Sequence, residues 1–224
     1  MEMKLVLYSG GNNLENFEMD TELKALFTKE NPSITFIPSS FDDASEDFDE
    51  FCSYYEKYHF TDFSIFPLDV PFNENSLDKI FKRDMIYLAG GNTYYFLKYL
   101  RKSGFKNRIG HFLRRGGILV GQSAGAIVMT PNILTAGFPS FDKDENEVKI
   151  KNLTGFKLVN FEFFPHYIHS RRYIDELQRY SRISKNPVLA CYDGSGVVIN
   201  GQRTTFVGKV YLFHGGIVSK LSNA

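Results

Sequence analysis

The stretch of this chain best equipped for chemistry is Gly121-Gln122-Ser123-Ala124-Gly125, a serine with a glycine two positions to either side, at the end of an apolar run. A serine presented from a sharp strand-to-helix turn needs neighbours without bulk, because the two backbones converge there, and G-x-S-x-G supplies them. Ile118 to Val120 read as a buried strand and Ala124 to Met129 as the first turns of a helix. The amides at such a helix start favour negative charge developing beside the serine. That is the chemistry of acyl transfer, with Ser123 as nucleophile and the Ala124 amide as an oxyanion donor. A plain glycine turn is the competing reading of the same residues.

A serine nucleophile needs a base and a group to orient that base. Leu158 to Phe164 predicts a strand that delivers Pro165-His166-Tyr167 at its end, where the preceding proline would hold His166 stiffly. His169 is the rival for the role, or else a cap or a substrate contact, because it opens the predicted helix Ser170 to Ser184. The candidate acid is Asp193, which follows the apolar run Val188 to Tyr192, although Asp193-Gly194-Ser195-Gly196 is also ordinary turn chemistry. A second glycine loop, Ala89-Gly90-Gly91-Asn92-Thr93, ends another apolar run. Its Gly91 amide is a candidate partner for that of Ala124, and Asn92 is a candidate substrate contact. Alternatively the glycines turn the chain, and Asn92 or Thr93 caps the helix that follows.

Positioning these groups falls to a regular alternation of elements. Lys4–Tyr8, Ser33–Ile37, Phe63–Leu68, Met85–Leu88 and the run before Ser123 read as strands. They are separated by predicted helices over Met19–Thr28, Asp42–Tyr58, Ser76–Lys82, a stretch through Tyr94, Leu97 and Leu100, and Phe105–Arg115. Continuous apolar strands alternating with helices predict a three-layer α/β sandwich around a mostly parallel sheet. Ligands of such sheets gather outside the carboxyl ends of the strands, where both glycine loops fall. Phe48, Phe51, Tyr55 and Tyr58 form a stripe at helical spacing that is best explained as core. Pro131 to Lys151 reads as a long loop with a small hairpin, its run Asp142 to Glu147 simply solvated. Asn200-Gly201 signals a hairpin, so the end of the chain is expected to be an antiparallel ribbon added to the edge of the main sheet.

The length suits one domain over residues 1–224, and 43% hydrophobic content with 16% aromatics provides its core. Lys+Arg and Asp+Glu both number 26, and no basic stripe or acidic tail interrupts the balance. Nucleic acid and membrane are therefore not the expected partners, and a small soluble ligand is. Two cysteines, Cys52 and Cys191, make neither a disulfide framework nor a metal site, and no signal segment opens the chain, so the expected compartment is the cytoplasm.

Leu88-Ala89-Gly90-Gly91-Asn92-Thr93, Gly121-Gln122-Ser123-Ala124-Gly125-Ala126, Pro165-His166-Tyr167 and Tyr192-Asp193-Gly194, in that order, resemble the peptidase E (aspartyl dipeptidase) family, to which cyanophycinases are related. The resemblance implies a class I glutamine amidotransferase-like fold with serine in place of cysteine. It also implies a triad in chain order Ser123, His166, Asp193, oxyanion amides at Gly91 and Ala124, a small peptide substrate, and no metal or cofactor. Two departures stand out. The family's aspartyl dipeptidases carry glutamate where Asp193 stands, one methylene longer. Where they carry polar residues after the nucleophile helix, this chain has Asn132-Ile133-Leu134-Thr135-Ala136-Gly137. An aspartyl side chain calls for a cation, and Arg171 and Arg172 are the basic pair nearest the expected edge, or else a solvated first turn. The implied activity is that of a serine peptidase acting on dipeptides or short peptides; another serine hydrolase, of esterase or isoaspartyl type, and a non-catalytic peptide binder are the alternatives.

Overall fold

The computed structural model describes residues 3–42 and 44–221. The first half of the chain alternates β1 (Lys4–Tyr8), α1 (Phe17–Lys24), β2 (Ser33–Ile37), α2 (Ala44–Glu56), β3 (Asp62–Ile65), α3 (Glu74–Ile80) and β4 (Met85–Leu88). Then come α4 (Thr93–Lys102), α5 (Phe105–Arg114), β5 (Ile118–Gln122) and α6 (Ala124–Ile127), followed by β6 (Glu162–Phe164), α7 (Arg171–Ile183) and β7 (Val188–Cys191). Four strands close the chain: β8 (Gly196–Asn200), β9 (Arg203–Val207), β10 (Val210–His214) and β11 (Ile217–Leu221).

Seven strands form the main sheet in the order β3-β2-β4-β5-β1-β8-β9. The first five are parallel, and β8 and β9 are antiparallel additions. The central strands are apolar throughout because both faces are covered. Leu5, Leu7, Ile86, Leu88 and Leu119 pack with Leu77 of α3, Leu97 of α4 and Phe112 of α5 on one side. On the other, Val6, Tyr8, Tyr87 and Val120 pack with Met19 of α1 and with Phe51 and Tyr55 of α2, so the aromatic stripe of α2 is core, as its spacing predicts. This is the three-layer α/β arrangement with a mostly parallel sheet that the alternation implies.

The C-terminal ribbon departs from expectation. Only β8 and β9 extend the main sheet, whereas β10 and β11 join β7 and β6 in a separate four-stranded sheet of order β11-β10-β7-β6. A short apolar run carries no mark of which sheet it will enter; that is settled by distant pairing, here Leu212 with Leu189 and Phe163 with Leu189. The loop after α6 holds a 3₁₀ turn, Leu134–Gly137, and one isolated bridge between Asn132 and Thr154 in place of a hairpin. The expected start of α2 at Asp42 runs into residue 43, and the ends of the expected domain, 1–2 and 222–224, likewise lie outside the described residues. No helix among the described residues is long and apolar enough to cross a membrane.

Candidate active site

Ser123 sits between β5 and α6 with φ 50° and ψ −110°, a conformation that side-chain-bearing residues seldom adopt. The sequence tolerates this turn because its flanks are bare. A Cβ on Gly121 would lie 2.3 Å from the Gly125 carbonyl oxygen, and one on Gly125 only 2.1 Å from that of Leu88. The strand, the helix and the neighbouring β4 thus meet backbone to backbone, and the serine is pushed out at the carboxyl edge. Its own N–H donates to the Tyr8 carbonyl of β1 at 3.0 Å, which ties the turn to the centre of the sheet.

The second sheet brings the other two groups. β6 and β7 are parallel neighbours, so His166, two residues past β6, and Asp193, two residues past β7, emerge side by side. His166 Nε2 lies 2.9 Å from Ser123 Oγ, and Nδ1 lies 2.8 Å from Asp193 Oδ1. The shorter acid therefore reaches the ring. Room for that contact comes from Gly10, where a Cβ would stand 2.4 Å from His166 Cε1 and 2.7 Å from Asp193 Oδ1. His166 itself has φ 54°, a second strained position beside Ser123.

The charges on the pair follow from these contacts. The hydrogen bond to Asp193 holds the His166 imidazole above the ordinary histidine range against the pull of burial, and the fields of Asp193, Asp142 and Asp144 add to it. Asp193 is held below the usual carboxylate range by the same bond, with burial opposing. An imidazole that donates from Nδ1 to a carboxylate presents a bare Nε2 to the serine hydroxyl, the arrangement needed to take its proton.

Gly91 has φ 124°, and a Cβ there would meet Ser39 Oγ at 2.0 Å, so the position is closed to side chains. Neither the Gly91 nor the Ala124 amide has a protein acceptor among the described residues.

With this geometry in view, the comparison with known proteins is decisive for kinship: the model of "Peptidase family S51" matches residues 5–207. The chain belongs to peptidase family S51. Among the proteins it is similar to is an uncharacterized peptidase of Listeria monocytogenes, 36% identical over 40% of this chain and 42% of that one. Another, from Pasteurella multocida, is 29% identical over 62% of this chain and 66% of its own length. A peptidase E of Salmonella arizonae is 31% identical over 42% of this chain and 38% of the relative. The matched stretches thus span from about two fifths to just under two thirds of these relatives. In fold, the chain is similar over 99% of its length to a putative peptidase E protein from Listeria monocytogenes, covering 100% of that chain with a TM-score of 0.72 and 20% identity. A peptidase from an acI-B1 Actinobacterium gives a TM-score of 0.70 at 20% identity, over 99% and 95% of the two chains.

The remaining candidates of this S51 chain lie elsewhere. His169 is held in an aromatic cluster: Tyr167 Oη is 3.0 Å from its Nδ1, and its ring stacks on Tyr211. Asn92 is occupied as the cap of α4, accepting from the Tyr95 amide at 2.9 Å and donating to the Glu145 carbonyl at 2.9 Å. Arg171 is 95% exposed and paired loosely with Asp175, and Arg172 stacks over Phe141 at 3.3 Å. None of these four lines the small cleft of about 140 Å³ beside Ser123 and His166. That cleft is lined instead by residues of the run expected to be solvated: Asp144 accepts from the Thr93 amide at 2.8 Å and Asp142 from the Tyr173 hydroxyl at 2.6 Å. Sequence reading also missed Ser9. Its hydroxyl accepts from the His166 amide at 2.7 Å and donates to the Cys191 carbonyl at 2.8 Å. The available signal was Ser9-Gly10-Gly11 at the carboxyl end of β1, the same edge that marked Gly90-Gly91. Among the described residues, no three His, Cys, Asp or Glu side chains converge as metal ligands would.

Proposed function

We propose that this chain is a serine peptidase of the peptidase E type, cutting dipeptides or short peptides through an acyl-enzyme on Ser123. The observation that carries the reading is the unbroken contact from Ser123 Oγ to His166 Nε2 and from Nδ1 to Asp193, at 2.9 and 2.8 Å. In the first half-reaction Nε2 takes the hydroxyl proton as Oγ bonds to the peptide carbonyl carbon. The amides of Gly91 and Ala124, each without a protein acceptor among the described residues, donate to the oxyanion. Collapse breaks the C–N bond, and the departing amine leaves with the proton from Nε2. Water then repeats the sequence in reverse: it gives a proton to Nε2, attacks the ester, and Oγ departs reprotonated. Asp193 stays ionised throughout and stabilises the imidazolium.

Serine and histidine act as a unit, so Ser123→Ala is expected to lower kcat/KM by at least about 10⁴-fold on any dipeptide the parent cleaves. A fluorophosphonate should label the parent at Ser123 and leave the alanine variant unlabelled. A parent that resists the reagent at neutral pH is a binder, and this reading fails.

A further inference from the structure

The main sheet separates two cavities at its carboxyl edge, and His166 lines only one of them. The other, of about 330 Å³, lies on the face covered by α1 and α2 and reaches Gly90 and Gln122. Gly90 lines this cavity and lies against the serine, since a Cβ there would be 3.7 Å from Ser123 Cβ. The walls are Tyr8, Tyr54, Tyr55 and Tyr87. At the floor is Asp20, 2% exposed, which accepts from the hydroxyls of Tyr8 at 2.9 Å, Tyr58 at 3.1 Å, and Tyr54. Beside it Asn16, 8% exposed, spends its amide N–H on the Gly11 carbonyl at 3.1 Å, while its Oδ1 has no donor among the described residues. The exposed Asp47 and Glu50 of α2 also line the cavity, and none of the lining residues is basic.

We propose that this cavity receives the side chain of the residue whose carbonyl is attacked, and that it selects a basic one, ending in guanidinium or ammonium. The placement rests on the reading of Ser123 and His166 given above. Nε2 must hand its proton to the departing nitrogen, so the leaving residue lies on the His166 side of the serine, and the acyl residue lies across Gly90. The charge preference stands on the lining itself. A buried carbonyl oxygen without a donor calls for an N–H. Tyrosine faces and carboxylates both attract a cation. An aspartyl side chain would bring like charge to Asp20 and Glu50, and the nearby Lys57 ammonium, 3.6 Å over the Tyr54 ring, does not line the cavity.

The test is calorimetry on the full chain with the α-amides of arginine, norleucine and aspartate, whose common ammonium group cancels. Arginine amide is expected to bind at least about tenfold more tightly than norleucine amide, with the aspartate amide weakest. Glu50→Gln should narrow the arginine-to-norleucine gap about threefold. Asp20→Asn should narrow it further, with a thermal melt to report that this buried site still folds. Norleucine or aspartate amide binding as tightly as arginine amide overturns the inference, as does a gap that Glu50→Gln leaves unchanged. Fluorophosphonate labelling run in parallel reports on the mechanism separately. A labelled chain that favours norleucine keeps the mechanism and loses the cationic pocket; an unlabelled chain that favours arginine keeps the pocket and loses the mechanism.

Discussion

Asp193 reaches the His166 ring across the bare backbone at Gly10, which lets ring and carboxylate close to 2.8 Å. The consequence is a pH profile. On the proposed mechanism peptide cleavage needs neutral His166, so kcat/KM should climb through a pKa above the ordinary imidazole value of about 6.5, because Asp193 holds the proton on the ring. Asp193→Asn removes that charge, so the ascending limb should move to lower pH while the plateau falls by up to about 10⁴-fold. A pH–rate profile of the variant checks both, and an unmoved limb would mean that His166 is governed by something other than its acid. For stability the signs are opposite. The raised pKa of His166 contributes below its unfolded value and is lost as pH rises through the folded one; the lowered pKa of Asp193 contributes above its unfolded value and is lost as pH falls. Both side chains are nearly half exposed, so this linkage is small.

At the scale of elements, the junction between the two sheets passes through Ser9. It follows β1 of the main sheet, and its buried hydroxyl holds the His166 backbone and the end of β7 together. While the Cys191 carbonyl still accepts from the Tyr167 amide at 2.9 Å, Ser9→Ala leaves the His166 N–H without its acceptor, at about 1–3 kcal/mol. It should therefore lower the urea midpoint of unfolding and, by loosening the imidazole, lower kcat more than it raises KM. Unchanged kcat in a variant with a lowered midpoint would confine Ser9 to a structural role. The turn at Ser123 was legible in the sequence because a glycine stands two residues to either side of it; Gly121 is required by its contact with Gly125, whereas the need for Gly125 comes from the distant Leu88 carbonyl of β4. The two glycine loops were legible in the same way, whereas the set Ser123, His166 and Asp193 in that chain order came from the resemblance to the peptidase E family. Ser9 was not legible, since its partners are 157 and 182 residues away. The choice between His166 and His169 was left open by spacing, and it is the pairing of β6 with β7 that sends the first toward Ser123 while Tyr211 of β10 holds the second.

For the molecule as a whole, the site depends on a small second sheet keeping its place against a large first one, and β6 has only three residues with which to do so. Glu162, which opens β6 and is 1% exposed, supplies the anchor. Its Oε1 accepts from Asn132 and Ser184 at 2.8 Å and from Asn186 at 3.3 Å, and its Oε2 accepts from Tyr180. One carboxylate thus gathers the segment after α6, the last turn of α7 and the approach to β7. Glu162→Ala would strand these donors in a half-buried setting, and about 2–4 kcal/mol of stability should be lost in urea unfolding. Glu162→Gln keeps an acceptor for Asn132 and Ser184, and the Tyr180 hydroxyl can rotate to accept from the new amide, so it should cost less than alanine. Because His166 lies four residues beyond this anchor, fluorophosphonate labelling of Ser123 should slow in the alanine variant at temperatures where it remains folded. If alanine and glutamine prove equally harmless, the second sheet is held by its aromatic core of Phe164, Tyr167 and Phe213, and the buried carboxylate is incidental to the site.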